Sequence, residues 1–231
     1  MCKVFTMEFE SVVFDMDGVI LNSLVNSEEW KYEAVNEALN DEGVDPSNLE
    51  KKTKDSLLGD KGYSECVKTS KDVGVNPRKV WNSVAEKTTL ARERQLEQGN
   101  FELYGHARDT IKALHQSDVE LGIISNAPEM AVELTIEHFD LKRFFKFYAG
   151  VRNFEDLQAR KPHPNHLELA KAELKRGPFT YVGDHESDLL AAKRADMSSI
   201  WVKRTEASME VKPDYTVEEV SKIREIVLEN V

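Results

Sequence analysis

The stretch Ser11-Val-Val-Phe-Asp-Met-Asp-Gly-Val-Ile-Leu21 decides the fold, because two acids stand where an apolar run stops. Residues 12–14 form a short, partly β-branched block, which predicts a buried strand of a parallel sheet. Asp15 then falls at the carboxyl end of that strand, the edge at which open α/β sheets bind ligands. Because side chains alternate along an extended chain, Asp15 and Asp17 would face the same way.

An Asp-x-Asp-Gly run also has a plainer interpretation as a turn, since Asp and Gly favour turns by themselves. Gly18 lets the chain turn immediately after the two acids, which would also allow its backbone to close over a ligand. The short motif is therefore open to both interpretations, and the rest of the chain has to decide between them.

Composition limits the class of protein. With 231 residues, the chain is long enough for one α/β domain with a sizeable insertion, or for two modest domains. The formal net charge of -11 argues against a nucleic-acid interface or a membrane-surface role. Cys2 and Cys66 are too few for a disulfide framework, and the acidic first residues do not resemble a signal peptide. We expect a soluble cytoplasmic protein that binds neither nucleic acid nor membrane.

Residues 23–100 have a helical pattern that is too long for a simple connection, so we predict a separate helical domain there. The stretch Asn26-Ser-Glu-Glu29 predicts one helix start, and Asn76-Pro77 predicts another, with Asn as the cap and Pro in the first turn. Trp30 and Trp81 fall among apolar positions at helical spacing, which favours core anchors over ligand platforms.

From about Leu103 onward, strands alternate with helices, which predicts βαβ units and a parallel sheet. The predicted helices include residues 107–115 and one with Pro128 in its first turn. The predicted fold class is thus α/β, with residues 1–22 and 101–231 forming the sheet core and residues 23–100 inserted as a helical domain. The predicted strands after the first are residues 119–124, 144–149, 179–182 and 199–202.

Polar side chains follow three of the predicted strands, and a fourth segment adds a cation in a loop. Parallel strands with right-handed crossovers bring their carboxyl ends to one edge, so residues distant in sequence can converge there. This convergence favours a site over a turn at Asp15. The groups are Asp15 with Asp17, Ser125 with Asn126, Asp184 with Asp188, and Lys161 in Arg160-Lys-Pro-His-Pro164.

Four carboxylates in one cleft would repel, since a like-charged pair ~4 Å apart costs on the order of 4 kcal/mol at an effective dielectric near 20. A divalent cation would relieve this repulsion. All-oxygen ligands without a Cys or His cluster suit Mg²⁺, which usually takes one or two carboxylates together with substrate phosphate.

A bound phosphate would need further positive charge or N–H donors. Ser125 and Asn126 precede a predicted helix, whose N-terminus favours an anion, and Lys161 supplies a point charge. Each also has a purely structural interpretation: helix capping for Ser125 and Asn126, and a solvated surface lysine for Lys161. Asp184 and Asp188 are likewise open to interpretation as a helix cap and a surface acid.

In this order, the residues resemble the four motifs of the haloacid dehalogenase superfamily. Asp15-Met-Asp-Gly-Val resembles motif one, Ile-Ile-Ser125-Asn motif two, Lys161-Pro-His-Pro motif three and Gly183-Asp184-His-Glu-Ser-Asp188 motif four. The resemblance covers nearly all of the Rossmann-like core and implies that residues 23–100 are a type-one helical cap.

The resemblance also implies roles for these residues. Asp15 would be the nucleophile that forms an aspartyl-phosphate, and Asp17 the general acid and base. Ser125 and Lys161 would position the phosphate and the nucleophile, with the Gly18 and Asn126 backbone nearby. Mg²⁺ would be held by the Asp15 and Asp184 carboxylates and the Asp17 backbone carbonyl, and by Asp188 directly or through water.

The resemblance implies a Mg²⁺-dependent phosphatase of a small phosphorylated metabolite, similar to a phosphoglycolate phosphatase. Asp17 points to a phosphatase or phosphomutase, because dehalogenases of the superfamily generally lack this second acid. The alternatives are a β-phosphoglucomutase-like enzyme and a non-catalytic protein that keeps the fold. The sequence departs from the usual motifs at His185, at Asp196 and at Tyr104-Gly105. A contact of His185 with substrate is one interpretation, and variation without a role is the one we favour.

Specificity should reside in the cap, where Lys54, Asp60, Lys61 and Arg92 are candidates without a recognisable pattern. The sequence does not rank substrates and indicates no oligomeric state.

Overall fold

The computed structural model describes residues 9–23, 28–205 and 209–228. Its strands, in chain order, are β1 (Ser11–Phe14), β2 (Leu21–Asn22), β3 (Glu102–Leu103), β4 (Glu120–Pro128), β5 (Phe147–Val151), β6 (Phe179–Gly183), β7 (Ser198–Val202) and β8 (Tyr215–Val217). Its α-helices are α1 (Glu29–Asp41), α2 (Lys51–Leu57), α3 (Tyr63–Asp72), α4 (Pro77–Glu97), α5 (Ala107–Gln116), α6 (Glu129–His138), α7 (Asn165–Leu174), α8 (Glu186–Arg194) and α9 (Ile223–Leu228). Short 3-10 helices cover Lys142–Phe144, Phe154–Ala159 and Val220–Lys222.

Six strands form one parallel sheet in the order β5-β4-β1-β6-β7-β8, which confirms the predicted α/β class. Val12 and Phe14 point into one apolar cluster and Val13 into a second cluster, so both faces of β1 are covered. This explains why the first strand is apolar throughout. From β1 the chain builds one side of the sheet with β4 and β5, and then the other side with β6 to β8. The carboxyl end of β1 is therefore the switch point at which such sheets bind ligands.

Two predictions for the sheet core need correction. The strand predicted over residues 144–149 begins later, at Phe147, because the backbone before it closes into a 3-10 turn with local hydrogen bonds. The chain first pairs with β4 at Lys146, whose N–H donates to the Leu121 carbonyl at 2.8 Å. Pro128 lies before α6 rather than in its first turn, since its ψ of 138° is extended. The short strands β2, β3 and β8 were not predicted.

Helices α1 to α4 lie between β2 and β3, which pair antiparallel through Leu21–Leu103 and Asn22–Glu102. We call these four helices the cap; the predicted boundaries at residues 22 and 101 stay a prediction. The N-terminal capping residue of helix α4 is Asn76, as predicted, because its side chain accepts a hydrogen bond from the Lys79 N–H at 3.1 Å. Two residues of the predicted start of α1, Asn26 and Ser27, lie outside the described residues.

The cap packs directly on the core. Cys66 and Trp81 of the cap share an apolar cluster with Val151, Phe154 and Leu157 of the core. Trp81 is therefore buried as predicted, but at the interface between the two parts rather than only within the cap. The ion pairs Arg78–Glu155 and Arg160–Asp60 lie on the same interface.

The longest described helix, α4, has 21 residues and carries charged side chains along its length. Across residues 9–23, 28–205 and 209–228, no helix has both the length and the apolar character needed to span a membrane.

Gly150 in β5 gives a test of this packing. A Cβ there would lie 2.6 Å from the Ala127 carbonyl oxygen and 2.7 Å from the backbone of Glu129, neither of which is a flexible side chain. We expect Gly150→Ala to lower the free energy of unfolding by about 1–3 kcal/mol, measured by urea denaturation. Gly105→Ala is the matched control, since nothing lies within 4 Å of its Cβ position. Equal stability of the two variants would contradict the described β4–β5 packing.

Candidate active site

Three carboxylates meet beyond the carboxyl ends of β1 and β6. Asp15 follows β1, Asp184 follows β6, and Asp188 lies in the first turn of α8. One oxygen of each carboxylate lies within 4.8 Å of the other two. Asp188 is only 1% exposed, so it is not a surface acid. The structure thus brings together three of the four residues predicted as metal ligands, and all three offer oxygen.

Lys161 pairs with two of these three carboxylates. Its Nζ is 2.6 Å from Asp15 Oδ1, 2.7 Å from Asp188 Oδ1 and 2.8 Å from Tyr181 Oη. The side chain is 2% exposed, so the alternative of a solvated surface lysine is wrong. Tyr181 was not assigned a role from the sequence, although its place in β6 opposite Val13 puts it beside the end of the central strand.

The pKa values in the cluster reflect burial and crowding of negative charge. Burial raises the pKa of Asp15 well above its ordinary value; Lys161 opposes this shift, while Asp188 and Asp184 add to it. Burial and then Asp188 raise the pKa of Asp184 to about 6. Burial alone would lower the pKa of Lys161, but the charges of Asp15 and Asp188 outweigh it and raise that pKa. Three carboxylates are therefore crowded together, and one ammonium group pairs with two of them.

Asp17 lies on the same cavity but in a different environment. Its Oδ1 accepts from Ser23 Oγ at 2.6 Å, and its two oxygens accept from the Arg92 guanidinium at 3.1 and 3.0 Å. Burial raises the pKa of Asp17, but the charge and hydrogen bonds of Arg92, with Ser23, outweigh it and lower the pKa below its ordinary value. The Asp17 carboxylate is not part of the three-acid cluster, which leaves its backbone carbonyl as the predicted metal contact.

Gly18 packs against the acid cluster. Its φ is +83°, and a Cβ there would lie 2.1 Å from Asp184 Oδ2, so a side chain has no space. Its N–H donates to the Leu21 carbonyl at 2.9 Å. In this arrangement that N–H is engaged within the turn, and the phosphate contact predicted for Gly18 stays a prediction.

Ser125 and Asn126 do not cap α6, which has no side-chain cap hydrogen bond and begins only at Glu129. The Ser125 hydroxyl accepts from the Ala127 N–H at 3.1 Å. Asn126 holds the backbone of Lys161 at both polar groups: Oδ1 accepts from its N–H at 2.8 Å and Nδ2 donates to its carbonyl at 3.1 Å. Asn126 therefore positions Lys161, a role that was not predicted.

His185 has a structural role that was also not predicted. Its ring Nδ1 accepts from the Ser187 N–H at 3.2 Å, and Asp188 Oδ2 accepts from the His185 N–H at 3.0 Å. These reciprocal bonds form a capping box at the start of α8. The box fixes Asp188 so that its other oxygen faces Lys161.

A cavity of about 580 Å³ opens above these residues, and residues of the cap line its other side. Of the predicted specificity candidates, Asp60, Lys61 and Arg92 line it, and Lys54 does not. Trp30 and Trp81 also line it, so each serves both as a packing residue and as part of the wall. A cavity of this size, with an acidic core face and the cationic Lys61 and Arg92 on its cap face, can enclose a small polar ligand.

Residues 12–202 match the family described as haloacid dehalogenase-like hydrolase. A phosphoglycolate phosphatase of Salmonella paratyphi A is 37% identical over 106 residues, which are 45% of this chain and 40% of the relative. The chain thus aligns with less than half the length of this curated relative.

Two solved structures share the fold over almost the whole chain. The structure of CbbY from Rhodobacter sphaeroides in complex with phosphate has a TM-score of 0.70 at 20% identity, covering 93% of this chain and 96% of that one. The structure of a HAD phosphatase from Thermococcus onnurineus has a TM-score of 0.71 at 21% identity, covering 96% of this chain and 100% of that one. At this identity the likeness is one of fold. Together with the family match over most of the sequence, it leads to one conclusion: the chain belongs to the haloacid dehalogenase-like hydrolase family.

Proposed function

We propose that the protein is a Mg²⁺-dependent phosphomonoester hydrolase that acts on a small phosphorylated metabolite through an aspartyl-phosphate on Asp15. The observation that carries this proposal is the contrast between the two acids after β1. Asp15 is held by the Lys161 ammonium inside an acid cluster, while Asp17 is held separately, by Arg92 and Ser23. A nucleophile and a proton carrier need different surroundings, and the two acids have different partners.

The donor set fits a divalent cation. With all three carboxylates ionised, the single charge of Lys161 leaves an excess of two negative charges in the cluster, which one divalent ion would balance. Carboxylate oxygens without Cys or His suit Mg²⁺. The Asp15 and Asp184 carboxylates and the Asp17 carbonyl would hold the ion, with Asp188 contacting it directly or through water. When bound, it would neutralise charge on the phosphoryl group.

In the proposed reaction the Asp15 carboxylate attacks phosphorus, the ester P–O bond breaks, and Asp17 gives its proton to the leaving oxygen. Asp17 then takes a proton from water as the water attacks the phosphoryl group, which frees inorganic phosphate and restores Asp15. Lys161 and Ser125 would hold the phosphoryl oxygens. The Arg92 ion pair favours Asp17 as a carboxylate, the form that accepts the proton in the second step.

The substrate would be a small phosphate ester enclosed between the core and the cap. Phosphoglycolate is the first candidate, because curated relatives are named phosphoglycolate phosphatase. A screen of phosphorylated metabolites ranked by kcat/KM would test it.

Asp15→Asn tests the nucleophile. We expect p-nitrophenyl phosphate turnover with Mg²⁺ to fall at least about 1,000-fold, because an amide does not attack phosphorus. Asp72→Asn changes an exposed acid at the end of α3 and serves as the control. Full activity of Asp15→Asn would exclude the aspartyl-phosphate, and no turnover by the wild-type protein across the metabolite screen would favour a non-catalytic member.

Asp184→Asn tests the metal site. We expect activity to disappear on chelation and to return with Mg²⁺, and the Mg²⁺ concentration for half-maximal activity to rise at least about tenfold in the variant, since a charged ligand is lost. Asp214→Asn, a change of an acid that bonds Ser199 rather than the acid cluster, is the control. An unchanged Mg²⁺ requirement in Asp184→Asn would remove this residue from the proposed site.

Arg92→Met tests the partner of Asp17. Without the guanidinium, the Asp17 carboxylate keeps only Ser23 of these two partners, and we expect kcat to fall roughly 10- to 100-fold through misplacement. Arg94→Met alters an exposed arginine two positions along the same helix and should retain wild-type kcat. Equal rates for the two variants would contradict a role for Arg92 at Asp17.

A further inference from the structure

Arg204, two residues after β7, binds the turn that carries Asp17. Its Nε–H donates to the Gly18 carbonyl at 2.7 Å, and its terminal nitrogens donate to the carbonyls of Val19 at 3.5 Å and Glu218 at 3.4 Å. Gly18 directly follows Asp17 in the chain. One guanidinium therefore connects the segment after β7 and the segment after β8 to the proposed acid-base turn.

The same guanidinium contacts the return connection from the cap. Its central carbon lies 3.7 Å from the centroid of the Tyr104 ring, a close stacking contact. Tyr104 follows β3, and its N–H donates to the Ile20 carbonyl at 2.9 Å. Arg204 thus bridges the two connections through which the cap joins the core.

The position of this turn also affects the acid cluster. Gly18 packs so closely on Asp184 that a Cβ would lie 2.1 Å from the carboxylate. On the other side, the Trp201 indole N–H donates to the Asp184 carbonyl at 3.1 Å. The segment 201–204 therefore holds both loops: Trp201 holds the backbone of Asp184, and Arg204 holds the backbone after Asp17.

We infer that Arg204 is a positioning residue for Asp17. Its contacts with the Gly18 carbonyl and the Tyr104 ring hold the turn that determines where the Asp17 carboxylate lies. The inference rests on the proposed function, because it concerns the proton that Asp17 delivers. Arg204 touches neither reacting group itself. Its loss leaves the ion pairs of Lys161 with Asp15 and Asp188 in place and moves the Asp17 side chain relative to the leaving oxygen.

Leaving-group dependence separates this role from a general structural one. Phenyl phosphate and p-nitrophenyl phosphate have similar shapes, but phenolate is the poorer leaving group and depends more on protonation. Misplacing Asp17 therefore lowers kcat/KM for phenyl phosphate more than for p-nitrophenyl phosphate. A smaller folded fraction lowers both values by the same factor.

The experiment measures the ratio of kcat/KM for the two esters in Arg204→Gln, which loses the charge and the stacking guanidinium. We expect the phenyl to p-nitrophenyl ratio to fall at least about tenfold, and Arg204→Lys, which keeps the charge, to give an intermediate ratio. A ratio unchanged from wild type in Arg204→Gln overturns the inference, whether both activities fall together or neither falls.

Arg176→Gln is the matched control. Arg176 also donates to a backbone carbonyl, that of Asp118 at 3.0 Å, and it pairs with Glu10, but it lies beside the amino ends of β1 and β4, the sheet edge opposite the site. We expect Arg176→Gln to have the wild-type ratio of kcat/KM for phenyl phosphate to that for p-nitrophenyl phosphate. If thermal melting shows that Arg204→Gln does not fold, Arg204→Lys decides, and a wild-type ratio in that variant overturns the inference.

Asp17→Asn distinguishes failure of this inference from failure of the proposed function. Wild-type protein that hydrolyses neither ester, or an Asp17→Asn ratio equal to wild type, counts against the proposed chemistry. A shifted ratio in Asp17→Asn with an unshifted ratio in the Arg204 variants counts against Arg204 alone.

Discussion

The Lys161 ammonium, buried between the carboxylates of Asp15 and Asp188, is the interaction on which the rest of the site depends. Its Nζ lies 2.6 and 2.7 Å from the two acids. Removing one partner from a buried charge group of this kind costs about 3–5 kcal/mol, because the remaining charge has no compensation. Each member comes from a different element: the end of β1, the start of α8 and the loop before α7. The group therefore links the relative positions of three elements that are far apart in sequence.

Two glycines leave room for these acids next to the backbone. A Cβ at Gly18 would lie 2.1 Å from an Asp184 oxygen, and one at Gly183 would lie 2.2 Å from the Asp188 Cβ. Each glycine allows a carboxylate to approach the backbone where a side chain would displace it. Around them, Asn126 fixes the Lys161 backbone and the capping box fixes Asp188. Backbone contacts therefore fix the positions of Lys161 and the carboxylates, and they keep the carboxylates close together despite their mutual repulsion.

The sequence predicts the parts of this arrangement that follow from periodicity and strand ends. The apolar block before Asp15, the helix starting at Asn76-Pro77, the polar residues in the last part of β4 and those after β6 were recognisable because each depends on local spacing. The contacts of Arg204 and Tyr181 were not recognisable, because they depend on which strands are neighbours. The prediction of a strand at Phe144 is wrong for a related reason, since an apolar run does not show where pairing begins. Local pattern thus predicts which residues reach the sheet edge, while tertiary packing determines what they contact there.

The two acids after β1 belong to one short motif, but their pKa values are shifted in opposite directions. The pKa of Asp15 is raised and that of Asp17 is lowered, although only Met16 separates them and both line one cavity. Burial acts on both in the same direction, so the difference comes from their partners. The charged groups that act on Asp15 are Lys161, Asp188 and Asp184, all from the core, whereas the main partner of Asp17 is Arg92 on cap helix α4. A displacement of the cap would therefore change the charge environment of Asp17 and leave that of Asp15 almost intact.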